Sequence, residues 1–224
     1  MHFAGLQKNS TLDFPGNFAC VIFFAGCNYD CYYCHNRHLL GKHTPTVDEA
    51  EVMAFLDKRK GLIDGVVLSG GEPTLQKELI PFAEKLREMG YKIKIDSNGS
   101  KPDVLFKMAE KGLIDYAAID YKAPFGMYEE ICKHGAENVR ESIALLANFG
   151  IDYEMRTTMI PEIREEQLIQ MASEMPVLPH YYLQLYRPPV PELVRDGFPL
   201  YTPGDIRSLA EKIRYLQPNT SARV

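Results

Sequence analysis

The stretch MAEKGLIDYAAIDYK, Met108–Lys122, carries the unit on which the fold turns. Its first part ends in Lys111 and Gly112, a basic side chain and then a residue that takes the left-handed conformation closing a helix without a Cβ penalty. Its second part, Leu113–Ile119, is mostly apolar, as a strand buried on both faces requires, and it stops at the polar Asp120–Lys122. The same order recurs upstream as DKRKG then LIDGVVLSGG (57–71) and as EKLREMG then YKIKIDSNG (84–99). Downstream it returns as ALLANFG then IDYEMRTTM (144–159). The helical parts have the right period: Leu75, Leu79, Phe82, Ala83 and Leu86 share one face, and Val139, Ile143, Leu146 and Phe149 share another. FACVIFFA (18–25) reads as a first strand, YYLQLYR (181–187) as a sixth, and 203–216 as a closing helix.

Six strands separated by helices predict βα units with right-handed crossovers and a parallel sheet. A complete eight-fold barrel needs about 250 residues. With 224 residues, the sequence predicts an α/β fold built as a partial, open (βα)6 TIM-type barrel of parallel strands. No linker or low-complexity segment divides the chain, so it reads as a single domain, 1–224, with its core at about 18–187. Hydrophobic residues make up 46% and charged residues 25%, which excludes disorder, collagen and coiled coil. The net charge of −5 argues against a nucleic-acid partner held by bulk charge. The longest apolar run, 18–25, falls far short of the ~20 residues that cross a bilayer, and the start lacks a signal peptide's order, so no membrane partner is expected. Five cysteines, three of them between positions 27 and 34, predict metal or redox chemistry in a reducing compartment, hence a cytoplasmic protein.

Polar clusters stand where nearly every strand ends: GCNYDCYYCHN, SGGEPT, DSNG, DYK, RTT and QLYRP. In parallel α/β folds that end binds ligands. Cys27, Cys31 and Cys34 form C-x3-C-x2-C, and soft sulfur selects zinc or an iron–sulfur cluster. A zinc site would be completed by His35 or His38. A [4Fe–4S] cluster on three cysteines leaves one iron open, and the loop's position at the functional end of a large fold favours it.

C-x3-C-x-aromatic-C, with Tyr33 as the aromatic, and SGGEP at 69–73 resemble the two signatures of the radical S-adenosylmethionine superfamily. The resemblance implies a partial (βα)6 barrel and a [4Fe–4S] cluster held by Cys27, Cys31 and Cys34. It further implies S-adenosyl-L-methionine bound at the open iron and cleaved to methionine and a 5′-deoxyadenosyl radical. Tyr33 then belongs to the cofactor site. Gly70 and Gly71 would let carbonyls approach the cofactor ammonium, and Glu72 would add a charged acceptor.

DSNG (96–99) and DYK (120–122) resemble motifs of the enzymes that activate glycyl-radical proteins. The resemblance gives Ser97 and Asn98 to the ribose or carboxylate of the cofactor, and Lys122 to its carboxylate as a catalytic residue beside the cysteines. Asp96 and Asp120 would repel that carboxylate, so a bound monovalent cation is expected among them. Otherwise DSNG is an Asx turn and Asp120 a helix cap. Arg156, in RTTMIP, resembles the R-T-x-x-I-P of the same enzymes and would reach the carboxylate or ribose. Gln184, Tyr186 and Arg187 end the sixth strand without an assignable role, and His180 reads as structural. Cys20 reads as a small buried hydrophobe and Cys132 as an ordinary thiol. Two remaining cysteines cannot hold a second cluster, so electrons are expected from flavodoxin or ferredoxin.

GLQKNSTLDFPG (5–16), CHN after the third cysteine and GGEPTLQ are similar to the activating proteins of anaerobic ribonucleoside-triphosphate reductase. That similarity implies hydrogen abstraction from a glycine of a partner, a glycyl-radical enzyme. A 7-carboxy-7-deazaguanine synthase-like enzyme shares the short chain and GGEPT but tends to lack CHN. A peptide-modifying radical enzyme and a zinc module are the remaining alternatives.

Overall fold

The computed structural model describes residues 1–41, 44, 46–188, 190 and 199–224. The six expected strands form as β2 (Ala19–Phe24), β3 (Gly65–Gly70), β4 (Lys92–Ser97), β5 (Tyr116–Asp120), β6 (Asp152–Met159) and β7 (Tyr181–Leu185). All six run parallel in the order of the chain. Two strands join them that the sequence reading lacked. β1 (Phe3–Ser10) pairs antiparallel with β2, and β8 (Thr220–Arg223) pairs parallel with β7. The result is one open, mostly parallel sheet of eight strands, with β1 and β8 at its two edges.

Helices α1 (Glu49–Arg59), α2 (Leu79–Glu88), α3 (Pro102–Glu110), α5 (Glu137–Phe149) and α6 (Glu165–Glu174) make the crossovers, with a short α4 (Tyr128–Cys132) before α5. α7 (Pro203–Lys212) leads into β8 and starts at a capping box, in which Thr202 and Asp205 bond each other's backbone N–H. At the end of α5, Gly150 has φ 65° and donates to carbonyls of the last turn, the geometry a Cβ would oppose. Two side chains depart from the expected faces. Leu75 precedes α2 in a 3-10 turn (Pro73–Leu75), and Phe149 is largely exposed, edge-on to Phe106 at 5.6 Å.

Period-two alternation divides the strands between two environments. Ile93, Ile95, Tyr153 and Met155 pack under the helices in the main core. Lys94, Asp96, Glu154 and Arg156 alternate with them and face the other way, into the interior of the curved sheet. Phe14, from the β1–β2 connection, packs there with Ala19, Val21, Val67 and Tyr116 in a separate apolar cluster. Arg223 of β8 grips the buried Glu154 with two bonds of 2.8 Å, and Tyr116 donates to the same carboxylate at 3.0 Å. No helix among the described residues is long and apolar enough to cross a membrane.

Candidate active site

A cavity of about 290 Å³ opens at the carboxyl ends of the strands. Cys27, Cys31, Cys34 and Tyr33 line it, together with Gly70 and Gly71 after β3. Asp96, Ser97 and Asn98 enter from β4, Asp120 and Lys122 from β5, and Arg156 from β6. Twelve of the thirteen residues singled out in the sequence therefore meet at one place; Glu72 does not line it. The cavity also takes in Tyr29, Thr158 and Gln184, as well as His35, while His38 stays outside.

The cysteine loop is held from several sides. Arg37 Nη1 donates to the Cys31 carbonyl at 2.8 Å, and Asn36 Nδ2 to the Gly70 carbonyl at 3.2 Å. The N–H of Asp30 donates to the carbonyl of Cys132 at 3.0 Å, tying the loop to α4. The two glycines of SGGEP have a reason the sequence did not disclose. A Cβ at residue 71 would lie 1.9 Å from the Gly26 carbonyl oxygen, and one at residue 70 would lie 2.3 Å from the Phe24 nitrogen. The turn after β3 thus lies backbone to backbone against β2 and the start of the cysteine loop.

Glu72 is fully buried beneath this turn. Its Oε1 accepts from Thr74 N–H (3.1 Å), Thr74 Oγ1 (2.6 Å) and Ser97 Oγ (2.8 Å), and its Oε2 accepts from Asn98 N–H (2.7 Å). Burial raises its carboxyl above the ordinary range, against the pull of these donors. The carboxylate therefore braces the DSNG segment. Above it, Asn98 Nδ2 donates to Asn28 Oδ1 at 3.0 Å and reaches Cys27 Sγ at 3.7 Å.

A charge lattice crosses the floor of the cavity. Arg156 donates to Asp96 from Nη1 (3.1 Å) and to Asp120 from Nε (3.0 Å) and Nη2 (2.9 Å). Lys94 completes Asp96, and Lys122 Nζ completes Asp120 at 3.1 Å. Burial would raise both acids, but Arg156 with Lys94 holds Asp96 below its usual range, and Lys122 with Arg156 holds Asp120 down to about 2. The repulsion that motivated a monovalent cation is thus answered by the chain's own cations, and the geometry gives no ground for one. Three cations against two carboxylates leave the lattice one positive charge in excess, suited to a ligand carboxylate.

Burial pushes the Cys27 thiol up to about 11 and raises Cys34 as well. Cys31 differs: the neighbouring Cys132 thiol lowers it, and Cys132 is raised in turn. Cys20, by contrast, is sealed inside β2, where burial pushes it up to about 12. Tyr186 is buried edge-on to Tyr33 at 6.1 Å, whereas Arg187 does not line the cavity.

The donor set fits a [4Fe–4S] cluster. Three soft thiols stand on the wall of one cavity, the donor type and number that a [4Fe–4S] cluster with one open iron takes. Tyr29 and Tyr33 line the cavity, and their hydroxyls are buried without a hydrogen-bond partner.

Lys94, Tyr29 and Cys132 escaped the sequence reading. Lys94 was legible, since KIKIDS places it two residues before Asp96 on the same strand face. The bond from the Asp30 N–H to the Cys132 carbonyl joins segments far apart in the chain and leaves no local signal.

An open parallel barrel with three thiols at its mouth defines a class of enzyme that holds a cluster at the carboxyl ends of its strands. The chain belongs to the radical SAM superfamily, whose family model matches residues 21–175. It is 34% identical over 193 residues to a protein of Methanocaldococcus jannaschii named as a presumed glycyl-radical enzyme activating enzyme, covering 83% of this chain and 80% of that one. It is 27% identical to the 7-carboxy-7-deazaguanine synthase of Thermococcus kodakarensis, covering 67% of each chain. With the pyruvate formate-lyase-activating enzyme of Clostridium pasteurianum it shares 26% identity, over 72% of this chain and 70% of that one. Among solved structures, SuiB of Streptococcus suis superimposes with a TM-score of 0.67 when bound to S-adenosylmethionine and 0.71 when bound to its precursor peptide SuiA. Those matches cover 91% of this chain at 16% and 17% identity, a likeness of fold. The chain spans about half of SuiB, 52% and 48% of its length in the two structures.

Proposed function

We propose that this chain uses S-adenosylmethionine to form a glycyl radical on a partner protein. The observation that carries the reading is the single cavity shared by Cys27, Cys31, Cys34 and the charge lattice of Asp96, Asp120, Lys122 and Arg156. Cys27, Cys31 and Cys34 would hold the [4Fe–4S] cluster, with an electron from flavodoxin or ferredoxin. When bound, the cluster supplies the electron that opens the sulfonium of S-adenosylmethionine to methionine and a 5′-deoxyadenosyl radical.

The protein's own groups bind and orient. Lys122 and the excess charge of the lattice neutralise the cofactor carboxylate. Asn98 steadies Cys27, while Glu72 holds Ser97 and Asn98 from below. The partner's glycine then gives up a hydrogen atom and 5′-deoxyadenosine leaves.

A protein substrate suits the open sheet. A second cavity of about 640 Å³ reaches Lys94, Glu154, Arg223 and Leu12, and it shares Arg156 and Gln184 with the first. The interior is therefore approached from the side of β8 and the β1–β2 connection as well as from the cluster mouth. The relative named as a presumed activating enzyme, matched over four fifths of its length, supports the same reading. We place the activity in an anaerobic cytoplasm, where the open iron of the cluster persists.

The test is anaerobic reconstitution followed by electron paramagnetic resonance with and without S-adenosylmethionine, then assay with candidate glycyl-radical enzymes. The expected result is a reduced cluster signal altered by the cofactor, 5′-deoxyadenosine formation, and a protein-based glycyl radical. Cofactor cleavage coupled only to a purine-like small molecule would overturn the activating role in favour of a synthase. Failure to assemble a cluster would overturn the chemistry altogether.

A further inference from the structure

Asn98 is buried on the cavity wall, and its side chain is held from three directions. Its Oδ1 accepts the Ser100 N–H at 2.9 Å, while its Nδ2 donates to Asn28 Oδ1 at 3.0 Å and to Cys27 Sγ at 3.7 Å. The backbone beneath is fixed as well, since the Asn98 N–H donates to Glu72 Oε2 at 2.7 Å. A backbone N–H can only donate, so Ser100 settles which end of the amide is oxygen, and the nitrogen faces Cys27. An amide nitrogen carries two hydrogens, and Asn28 and Cys27 take both.

Asn28, next to Cys27 in the chain, is oriented in the same way. Its Nδ2 donates to Ser100 Oγ at 2.9 Å, which leaves its Oδ1 to receive Asn98. Two side-chain bonds through Asn28 therefore join the segment after β4 to the start of the cysteine loop. Without them the Asn98 amide has no second anchor for the nitrogen that reaches Cys27.

We propose that Asn98 serves the cluster rather than the cofactor: its Nδ2–H donates to the Cys27 sulfur and raises the cluster's reduction potential, and Asn28 is the positioning residue that keeps it there. The inference rests on the proposed assignment of Cys27 as a cluster ligand. Neither amide hydrogen is then left for the ribose or carboxylate of the cofactor, the role that the resemblance of DSNG implied. A donor to a ligating sulfur stabilises the reduced form, which carries more negative charge on its sulfurs, relative to the oxidised one. The amide does not titrate, so its contribution does not change with pH. The effect is to bring the cluster within reach of a modest electron donor.

The experiment uses the full chain, reconstituted anaerobically, with N98L, N28L and the double variant beside the wild type. Potentiometric titration followed by electron paramagnetic resonance reads the midpoint, calorimetry reads S-adenosylmethionine binding, and iron and sulfide counts verify loading. N98L keeps the volume and removes the donor, and its midpoint is expected to fall by about 59 mV, tenfold in the reduction equilibrium, with cofactor binding close to wild type. N28L is expected to lower the midpoint too, and the double variant no further than N98L, because both substitutions remove one interaction. Alanine replaces leucine at a position where leucine prevents loading. Loss of the cluster with either substitution at residue 98, in a chain that keeps the wild-type urea midpoint, also supports the bond. The same loss with a lowered urea midpoint makes Asn98 structural and overturns the proposal. An N98L midpoint equal to wild type overturns it as well, and weakened cofactor binding at that unchanged midpoint returns Asn98 to the cofactor. Shifts that add in the double variant overturn the role of Asn28. A wild-type protein without a [4Fe–4S] cluster overturns the proposed function instead, and this inference with it.

Discussion

The carbonyl oxygen of Gly26 occupies the place where a Cβ of residue 71 would stand, 1.9 Å from it. The turn after β3 and the entry to the cysteine loop thus fit together only while residue 71 has no side chain. Gly71→Ala forces one of them to move. We expect a loss of about 1–3 kcal/mol, as for other overpacked sites, and a clear drop in iron bound after reconstitution. Thermal unfolding and iron analysis check both, and an alanine variant that matches wild type in stability and iron would show that the contact is compliant.

Glu72 accepts four hydrogen bonds within the protein, from Thr74, Ser97 and Asn98. Glu72→Gln swaps one acceptor oxygen for an amide that must face a donor. The expected cost is about 1–3 kcal/mol, with weaker S-adenosylmethionine binding because the DSNG segment loses its brace. Urea unfolding and calorimetric titration of the cofactor measure the two effects. Weakened binding at unchanged stability would mean that Glu72 touches the cofactor itself.

Arg156 bridges two carboxylates with one planar fork, a geometry an ammonium cannot copy. Arg156→Met leaves Asp96 and Asp120 short of a partner and is expected to cost about 3–5 kcal/mol, the range for breaking a buried pair. Arg156→Lys should recover part of that stability and less of the cofactor cleavage. Equal recovery of both by lysine would reduce the residue to a point charge.

Acid stability follows from the same lattice. Asp96 and Asp120 titrate lower in the folded protein than the usual ~3.9 of an unfolded chain, because the charges of Arg156, Lys94 and Lys122 more than offset their burial. The unfolded chain therefore takes up protons first as pH falls. The stability these pairs contribute is complete above about pH 5 and is lost progressively toward pH 2. Urea midpoints from pH 6 down to 2.5 should fall more steeply for wild type than for Asp120→Asn. Parallel curves would remove Asp120 from the account.

Much of the architecture was legible because it is written in local terms. Gly112 and Gly150 each follow a helix at φ near 65°, so the boundaries of the repeating unit could be seen without tertiary knowledge. The motif cysteines and strand-end clusters were legible for a related reason: chemistry that needs several groups at one end of a parallel sheet appears as short polar runs at regular intervals. β8 left no such trace. Thr220–Arg223 is four residues long, and what holds it is Arg223 reaching Glu154, which lies 69 residues earlier.

The sequence by itself determined the parallel order of six strands, the end of the sheet that carries the site and the soft-donor chemistry of its cysteines, because helix ends, side-chain period and ligand type are local properties. Only the tertiary structure decided what each polar group faces. It turned Glu72 inward beneath Ser97, neutralised Asp96 and Asp120 with Lys94, Arg156 and Lys122, and tied the cysteine loop to α4 at Cys132. Buried charges and thiols take whichever partner the packing of distant strands brings within about 3 Å, and that choice is made by the whole sheet rather than by neighbours in the chain.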